Sequence, residues 1–173
     1  PLGLAYLIPY KNKGQIECQF QLGYKGMITL AYRNPDIQTI QAQTVYENDE
    51  FIFEYGLNPK LIHRPAVTDR GEPVYFYALF KTIKGGYGYS CMSRQDMEAF
   101  AKKYSKAYAS TFSPWNTNFE EMAKKTVIKQ ALKYAPISTE LQRALSTDET
   151  IKSKIEENMV DAQNEMDYVE QAA

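Results

Sequence analysis

Four lysines, Lys124, Lys125, Lys129 and Lys133, stand in the segment SPWNTNFEEMAKKTVIKQALKYAP between Ser113 and Pro136. At 100° per residue, Lys125, Lys129 and Lys133 share one stripe of a helix, with successive stems about 6 Å apart along the axis. Phe119, Met122, Ala123, Val127, Ala131 and Tyr134 cover a different arc, so one face packs and another presents cations. A rigid row of ammonium groups can follow the phosphates of a single nucleic-acid strand without reading its bases. A solvated lysine face on an amphipathic helix carries the same pattern, and this segment alone leaves both readings open. The helix start is expected at Thr117 or Asn118, because Thr117 with Glu120 and Asn118 with Glu121 both fit capping-box spacing. Trp115, the sole tryptophan, precedes that cap and can either stack on a base or plug the helix against a sheet.

The charge distribution sharpens the pattern. The 173 residues carry a net charge of −1, yet residues 1–80 hold seven Lys/Arg against eight Asp/Glu, residues 81–133 ten against four, and residues 134–173 three against nine. A basic middle block implies an anionic partner, and the acidic end a solvated or protein-binding role. Cys18 and Cys91 lie in apolar strand-like runs with no CxxC spacing and no nearby histidine, so both are expected to be buried free thiols in a reducing, cytoplasmic setting. No stretch approaches the ~18 apolar residues of a membrane span, and the N-terminus has no signal-peptide pattern. The chain enters a strand pattern at once, as expected of the core of a longer polypeptide.

Covalent chemistry is hard to assemble from the remaining residues. His63 sits between Ile62 and Arg64 without a partner at metal-ligand spacing, which favours a structural histidine. The run Glu47 to Glu50 (ENDE) offers carboxylates to a divalent cation, but a polar hairpin turn between two strands needs the same composition and is the better expectation. No GxxxxGK[ST] is present, and the glycines of KGGYG lie between strands and do not open a helix, which disfavours an ATP-driven motor or a dinucleotide enzyme. What remains is a basic block rich in the chain's fourteen tyrosines: Tyr75, Tyr77, Lys81, Lys84, Tyr87 and Tyr89 interleave groups that stack with groups that neutralise phosphate. Packing in a sheet core with hydroxyls at its margin is the expectation for more than half of the tyrosines.

The elements that must position these residues are legible in outline. Leu4 to Pro9 and Ile16 to Leu22 flank KNKG and predict a hairpin with Gly14 at positive φ. GYKGMITLAYRNP predicts a short helix ending before Pro35. Residues 37–46 and 50–54 predict strands, and LNPKLIHRP an extended segment. VYFYALFKTIKGGYGYSCM predicts two strands and a turn, with Val74, Phe76, Ala78, Phe80 and Thr82 on one face and Tyr75, Tyr77, Leu79, Lys81 and Ile83 on the other. Ser93 with Asp96 predicts a capped helix whose apolar positions are Met97, Phe100, Ala101, Tyr104 and Tyr108, and Ser138 to Leu145 predicts a further short helix. The expected class is α+β, an N-terminal hairpin and antiparallel sheet packed with C-terminal helices, with a single core domain at 1–146 and an acidic tail at 147–173.

The stretches AYLIPY, QFQLGYKGMITLA, VYENDEFIFEYG and PWNTNFEEMAKKTVIKQALKYAP, in this order, resemble the RecT family of phage single-strand annealing proteins. The resemblance implies ATP-independent annealing of complementary DNA strands in recombination, assembly into rings or helical filaments, and partnership with a phage exonuclease and the host single-strand-binding protein. It implies no cofactor beyond magnesium carried by the DNA, and a phage- or prophage-encoded protein working in the bacterial cytoplasm. Contacts to single-stranded DNA and the annealed duplex are then expected from Lys25, Lys81, Lys84, Arg94, Lys102, Lys103, Lys106, Trp115, Lys124, Lys125, Lys129 and Lys133. The rival readings are a metal-dependent nuclease built on the ENDE carboxylates and a passive single-strand-binding protein.

Overall fold

A computed structural model of the chain describes residues 3–12, 14–105, 108, 109, 111 and 113–147. The architecture is α+β with antiparallel strands, as the sequence predicts. It divides into two compact units, one joining residues up to Asn34 with those from Ile137 onward, the other spanning Pro35–Pro136.

In the first unit, β1 (Ala5–Asn12) and β2 (Gln15–Leu22) form an antiparallel hairpin, Ala5 opposite Leu22, closed through Gly14 at φ 89°. Helix α1 (Tyr24–Ala31) follows at once and packs with α5 (Thr139–Thr147), burying Leu22, Met27, Ala31 and Leu141. Arg33 and Glu140 form an ion pair at its surface. Gly26, tolerated in the helix despite its low propensity, has a packing reason: a Cβ there would lie 2.1 Å from the Leu4 carbonyl oxygen. Cys18, expected inside, is exposed, because a two-stranded hairpin shields at most one face of each strand.

The second unit is built on a three-stranded sheet in the order β3 (Ile37–Tyr46), β6 (Pro73–Thr82), β7 (Tyr87–Ser93). Alternation along β6 sends Phe76, Ala78 and Phe80 inward, where they are buried against α4 (Phe119–Leu132). Helix α2 (Arg94–Tyr104) packs on β6 and β7 through Met97 and Ala101. Its cap is the predicted one: the Ser93 hydroxyl accepts from the Asp96 N–H at 3.1 Å and donates to the Asp96 carboxylate at 2.7 Å. The expected box at 117–121 does not form. Instead Ser113 caps a single turn, α3 (Pro114–Thr117), and Asn118 starts α4 without a side-chain bond to its amides, because the Thr117 hydroxyl is bound to Asn118 Oδ1 and the Ser113 carbonyl.

The opposite face of the sheet carries a second hairpin, β4 (Glu50–Glu54) with β5 (Lys60–Arg64). Phe51 stacks on Tyr77 and Phe53 meets Tyr75 edge-on, each with ring centroids within 5.6 Å. Tyr75 and Tyr77 are thus packing residues, the alternative the sequence offered for most of its sheet tyrosines. One expectation is overturned: the Glu47–Asp49 turn does not join paired strands, since β3 pairs with β6 and β4 with β5. The turn is a corner between two sheets.

Asp49 holds that corner. Its side chain is fully buried, and its two oxygens accept from the Tyr46 N–H (2.9 Å), the Ala66 N–H (2.8 Å), both Nε and Nη2 of Arg70 (3.0 and 2.6 Å) and Nε2 of His63 (3.0 Å). The acceptor-only carboxylate fixes the proton on His63 Nε2, and in the neutral ring Nδ1 accepts from the Tyr77 hydroxyl at 3.2 Å. Arg70 then lies over the Tyr46 ring at 4.2 Å, and Tyr46 with Thr44 reaches Glu120 at the start of α4. Hydrogen bonds from Arg70, above all, hold the Asp49 carboxyl well below the usual carboxylate range, against the opposing effect of burial.

A carboxyl with a lowered folded-state pKa contributes stability that is full above its unfolded value, about 3.9, and is lost as pH falls through the folded value. Asp49→Asn is therefore expected to destabilise the chain at neutral pH by about 1–3 kcal/mol, since it leaves buried donors of the corner without their acceptor. It should also flatten the acid loss of stability below about pH 4. Urea unfolding of both proteins across that range measures this, and parallel pH profiles would remove Asp49 from the role.

Candidate nucleic-acid interface

The lysine helix does not present its stripe as the spacing predicts. Ala123, Val127, Ile128, Ala131 and Leu132 are all fully buried, so α4 packs over more than half its circumference and the stripe starts inside that arc. Lys125 is only 5% exposed, Lys129 is half-buried and Lys133 is exposed. Lys124 lies within 4.0 Å of Glu120 and 3.9 Å of Glu121 on its own helix, which offsets its charge locally. Trp115 is also turned inward, with its ring against the edge of Phe119 at 5.7 Å, and Phe119 against Phe76 at 5.8 Å. Arg94 is engaged by Glu72 and Glu98 and faces the Phe119 ring.

Of the remaining predicted cations, Lys25, Lys81, Lys84, Lys102 and Lys103 are exposed, and no carboxylate pairs with any of these among the described residues. Lys25 stands on α1 in the first unit, close to the Tyr24 ring. Lys102 and Lys103, in the last turn of α2, sit over the rings of Tyr108 and Tyr104 at 5.9 and 5.2 Å. Lys81 ends β6 opposite Tyr87, and Lys84 occupies the following turn. That turn is rigid: the Thr82 N–H donates to the Gly86 carbonyl at 2.7 Å, the Gly86 N–H donates to the Thr82 hydroxyl at 2.9 Å, and Gly85 takes φ 84°. Lys106 lies outside the described residues, as does the tail from residue 148.

Lys81, Tyr87 and Tyr89 share the sheet face that the β4–β5 hairpin covers, because paired residues Lys81–Tyr87, Leu79–Tyr89 and Tyr77–Cys91 alternate together. The cover stops at Tyr89. Its hydroxyl donates to the Glu54 carbonyl and approaches the Lys60 carbonyl at 3.4 Å, while the Lys60 side chain, paired across the hairpin with Glu54, belongs to the outer face. One residue pair further along, about 7 Å on, come Lys81 and Tyr87. One end of the sheet thus gathers Lys81, Lys84 and exposed rings. Sequence reasoning missed Tyr55 there, although Phe51, Phe53 and Tyr55 alternate with Glu50, Ile52 and Glu54 and so belong to one face.

The candidate nuclease centre is committed elsewhere. Asp49 spends both oxygens on five donors and Glu50 binds Arg64, while Glu47 accepts from the Glu72 N–H. Among the described residues no group of three His, Cys, Asp or Glu side chains is placed to hold a metal, and no helix is long and apolar enough to cross a membrane. Burial pushes the Cys91 thiol up to about 12, which leaves it unreactive at neutral pH.

Comparison with known proteins decides the family. The RecT family pattern matches residues 2–163, both units included. The chain belongs to the RecT family. It is 44% identical over 152 residues to protein RecT of Escherichia coli (strain K12), covering 86% of this chain and 55% of that protein. It is 30% identical over 157 residues to the uncharacterised protein YqaK of Bacillus subtilis (strain 168), covering 90% of this chain and 52% of that one. The chain spans about half the length of these RecT-family relatives. The resemblance carried by AYLIPY through KYAP in the sequence is therefore borne out as RecT membership.

Two outcomes separate the exposed from the buried cations. Lys81→Ala with Lys84→Ala should reduce the salt dependence of single-strand affinity by up to about 0.7 per phosphate contact removed, with an unchanged melting temperature. Lys125→Ala should leave that slope unaltered and act on stability alone. Titrations with oligo-dT at several salt concentrations check both, and a reduced slope in the Lys125 variant would return α4 to the interface. Trp115→Ala should cost about 3–5 kcal/mol in chemical unfolding through the cavity it leaves. Full stability with weakened DNA binding would instead make the indole a base-stacking group.

Proposed function

We propose that the chain binds single-stranded DNA through backbone phosphates and anneals complementary strands without ATP, as part of homologous recombination. The observation that carries this reading is RecT-family membership over residues 2–163. The exposed lysines without carboxylate partners support it physically. Two complementary strands repel through their phosphates, so an annealing protein must neutralise that charge and leave base edges free. Lysines on a rigid sheet turn and a helix end do the first, and being indifferent to sequence they do not compete with pairing.

One chain of this size contacts only a few nucleotides, too short a duplex to persist alone, so annealing is proposed to proceed in an oligomer, a ring or helical filament, that holds successive pieces in register. A phage exonuclease supplying the single strand and the host single-strand-binding protein are the proposed partners, in the bacterial cytoplasm. Magnesium acts through the DNA in this scheme. A nuclease is disfavoured because Asp49, the buried carboxylate of ENDE, spends both oxygens on protein donors and Glu50 is paired with Arg64.

Complementary oligonucleotides mixed with the chain, with and without magnesium and without ATP, test the reading. Duplex should form faster than in buffer, with full-length strands recovered. Shortened strands would establish the nuclease, and binding without duplex the passive binder. Light scattering should give larger complexes with both strands than with either alone, and efficient annealing of long strands by a strict monomer would overturn the assembly mechanism.

A further inference from the structure

The aromatic ladder of the second unit has an open end. Phe51, Phe53 and Tyr55 point to one side of the β4 line, and the first two are spent on Tyr75 and Tyr77. Tyr55 goes past the edge of that packing and lies face to face on Tyr89, with centroids 5.2 Å apart and planes at 16°. Phe53 supports its edge at 5.9 Å. Its hydroxyl accepts from the Cys91 N–H on the outer edge of β7 at 3.2 Å. Tyr89 beneath it is fixed in turn by its bond to the Glu54 carbonyl. Yet Tyr55 is 62% exposed. A ring held on one face, one edge and its hydroxyl, with most of its surface in water, is pre-organised for a flat ligand: little rotamer freedom is left to lose on binding.

The charge around it selects the ligand. Lys81 stands two residues along β6 from Leu79, the partner of Tyr89, and Lys84 lies in the adjoining turn, both exposed and neither paired with a carboxylate among the described residues. A planar platform beside two such cations matches an unpaired nucleobase flanked by its phosphates. We propose that Tyr55, seated on Tyr89, stacks one unpaired base of single-stranded DNA while Lys81 and Lys84 meet the neighbouring phosphates. This rests on the DNA-binding reading above and adds the base contact that reading does not contain. Burial raises the Tyr55 and Tyr89 hydroxyls above the ordinary phenol value, so both rings stay neutral beside phosphate at physiological pH.

The test compares the unmodified chain with Tyr55→Leu and Tyr55→Phe on oligo-dT and on an abasic oligonucleotide of equal length. Tyr55→Leu should weaken binding to oligo-dT by about 5- to 150-fold, the range for loss of one stacked base, and leave the abasic affinity and the salt slope unchanged. Tyr55→Phe keeps the ring but loses the bond to the Cys91 N–H, and should bind oligo-dT more tightly than Tyr55→Leu does. Equal weakening on both oligonucleotides, or none on either, would overturn stacking. A readout on the unmodified chain is independent of any folding defect: 2-aminopurine placed along the strand should be quenched at some position on saturation, and unquenched emission at every position overturns the proposal. Failure of the underlying DNA-binding reading looks different, since then the unmodified chain binds neither oligonucleotide.

Discussion

The second unit depends on one buried anion. Asp49 sits where the chain leaves the β3–β6–β7 sheet for the β4–β5 hairpin, and its carboxylate touches the corner, the strand carrying His63 and the loop carrying Arg70. An unpaired carboxylate in that position would be prohibitively costly, so the hairpin has to close over the sheet in the one arrangement that delivers all five donors. Hydrophobic packing of Phe51 and Phe53 on Tyr75 and Tyr77 supplies attraction but little direction. The hydrogen bonds supply the direction, and the bond from the Tyr77 hydroxyl to His63 ties the network to the central strand.

From that constraint the geometry of the sheet's far end follows. The hairpin register set at Glu50–Arg64 carries through to Glu54–Lys60, so the last ring of the hairpin arrives at Tyr89, next to the strand end and turn that carry Lys81 and Lys84. The α4 lysines are adjacent in sequence, yet burial and neighbouring glutamates consume much of their charge.

Local signals carried the strand and helix positions well, because alternation in VYFYALFKT, the turn glycines and the Ser93 cap are decided within a few residues. Pairing was less legible. A polar run such as ENDE looks alike whether it closes a hairpin or turns a corner, and only the partner segment, more than twenty residues on, distinguishes them. The candidate site fared worst for the same reason. Periodicity ranks lysines by their own helix, whereas exposure and pairing depend on remote groups: Arg94 is engaged by Glu72, and Lys125 lies within a buried arc wider than an amphipathic stripe. Family resemblance was legible because it samples many segments at once and needs no single side chain to be free.

The Tyr55 hydroxyl on the Cys91 amide also bears on how the sheet ends. The outer rim of β7 offers backbone donors and acceptors that would template a further strand. A phenol occupies one of those donors midway along the strand, and its ring lies across the approach. Any foreign strand adding there would have to evict that side chain first, so the same residue that leaves a flat surface open to solvent also closes the sheet to extension at that rim.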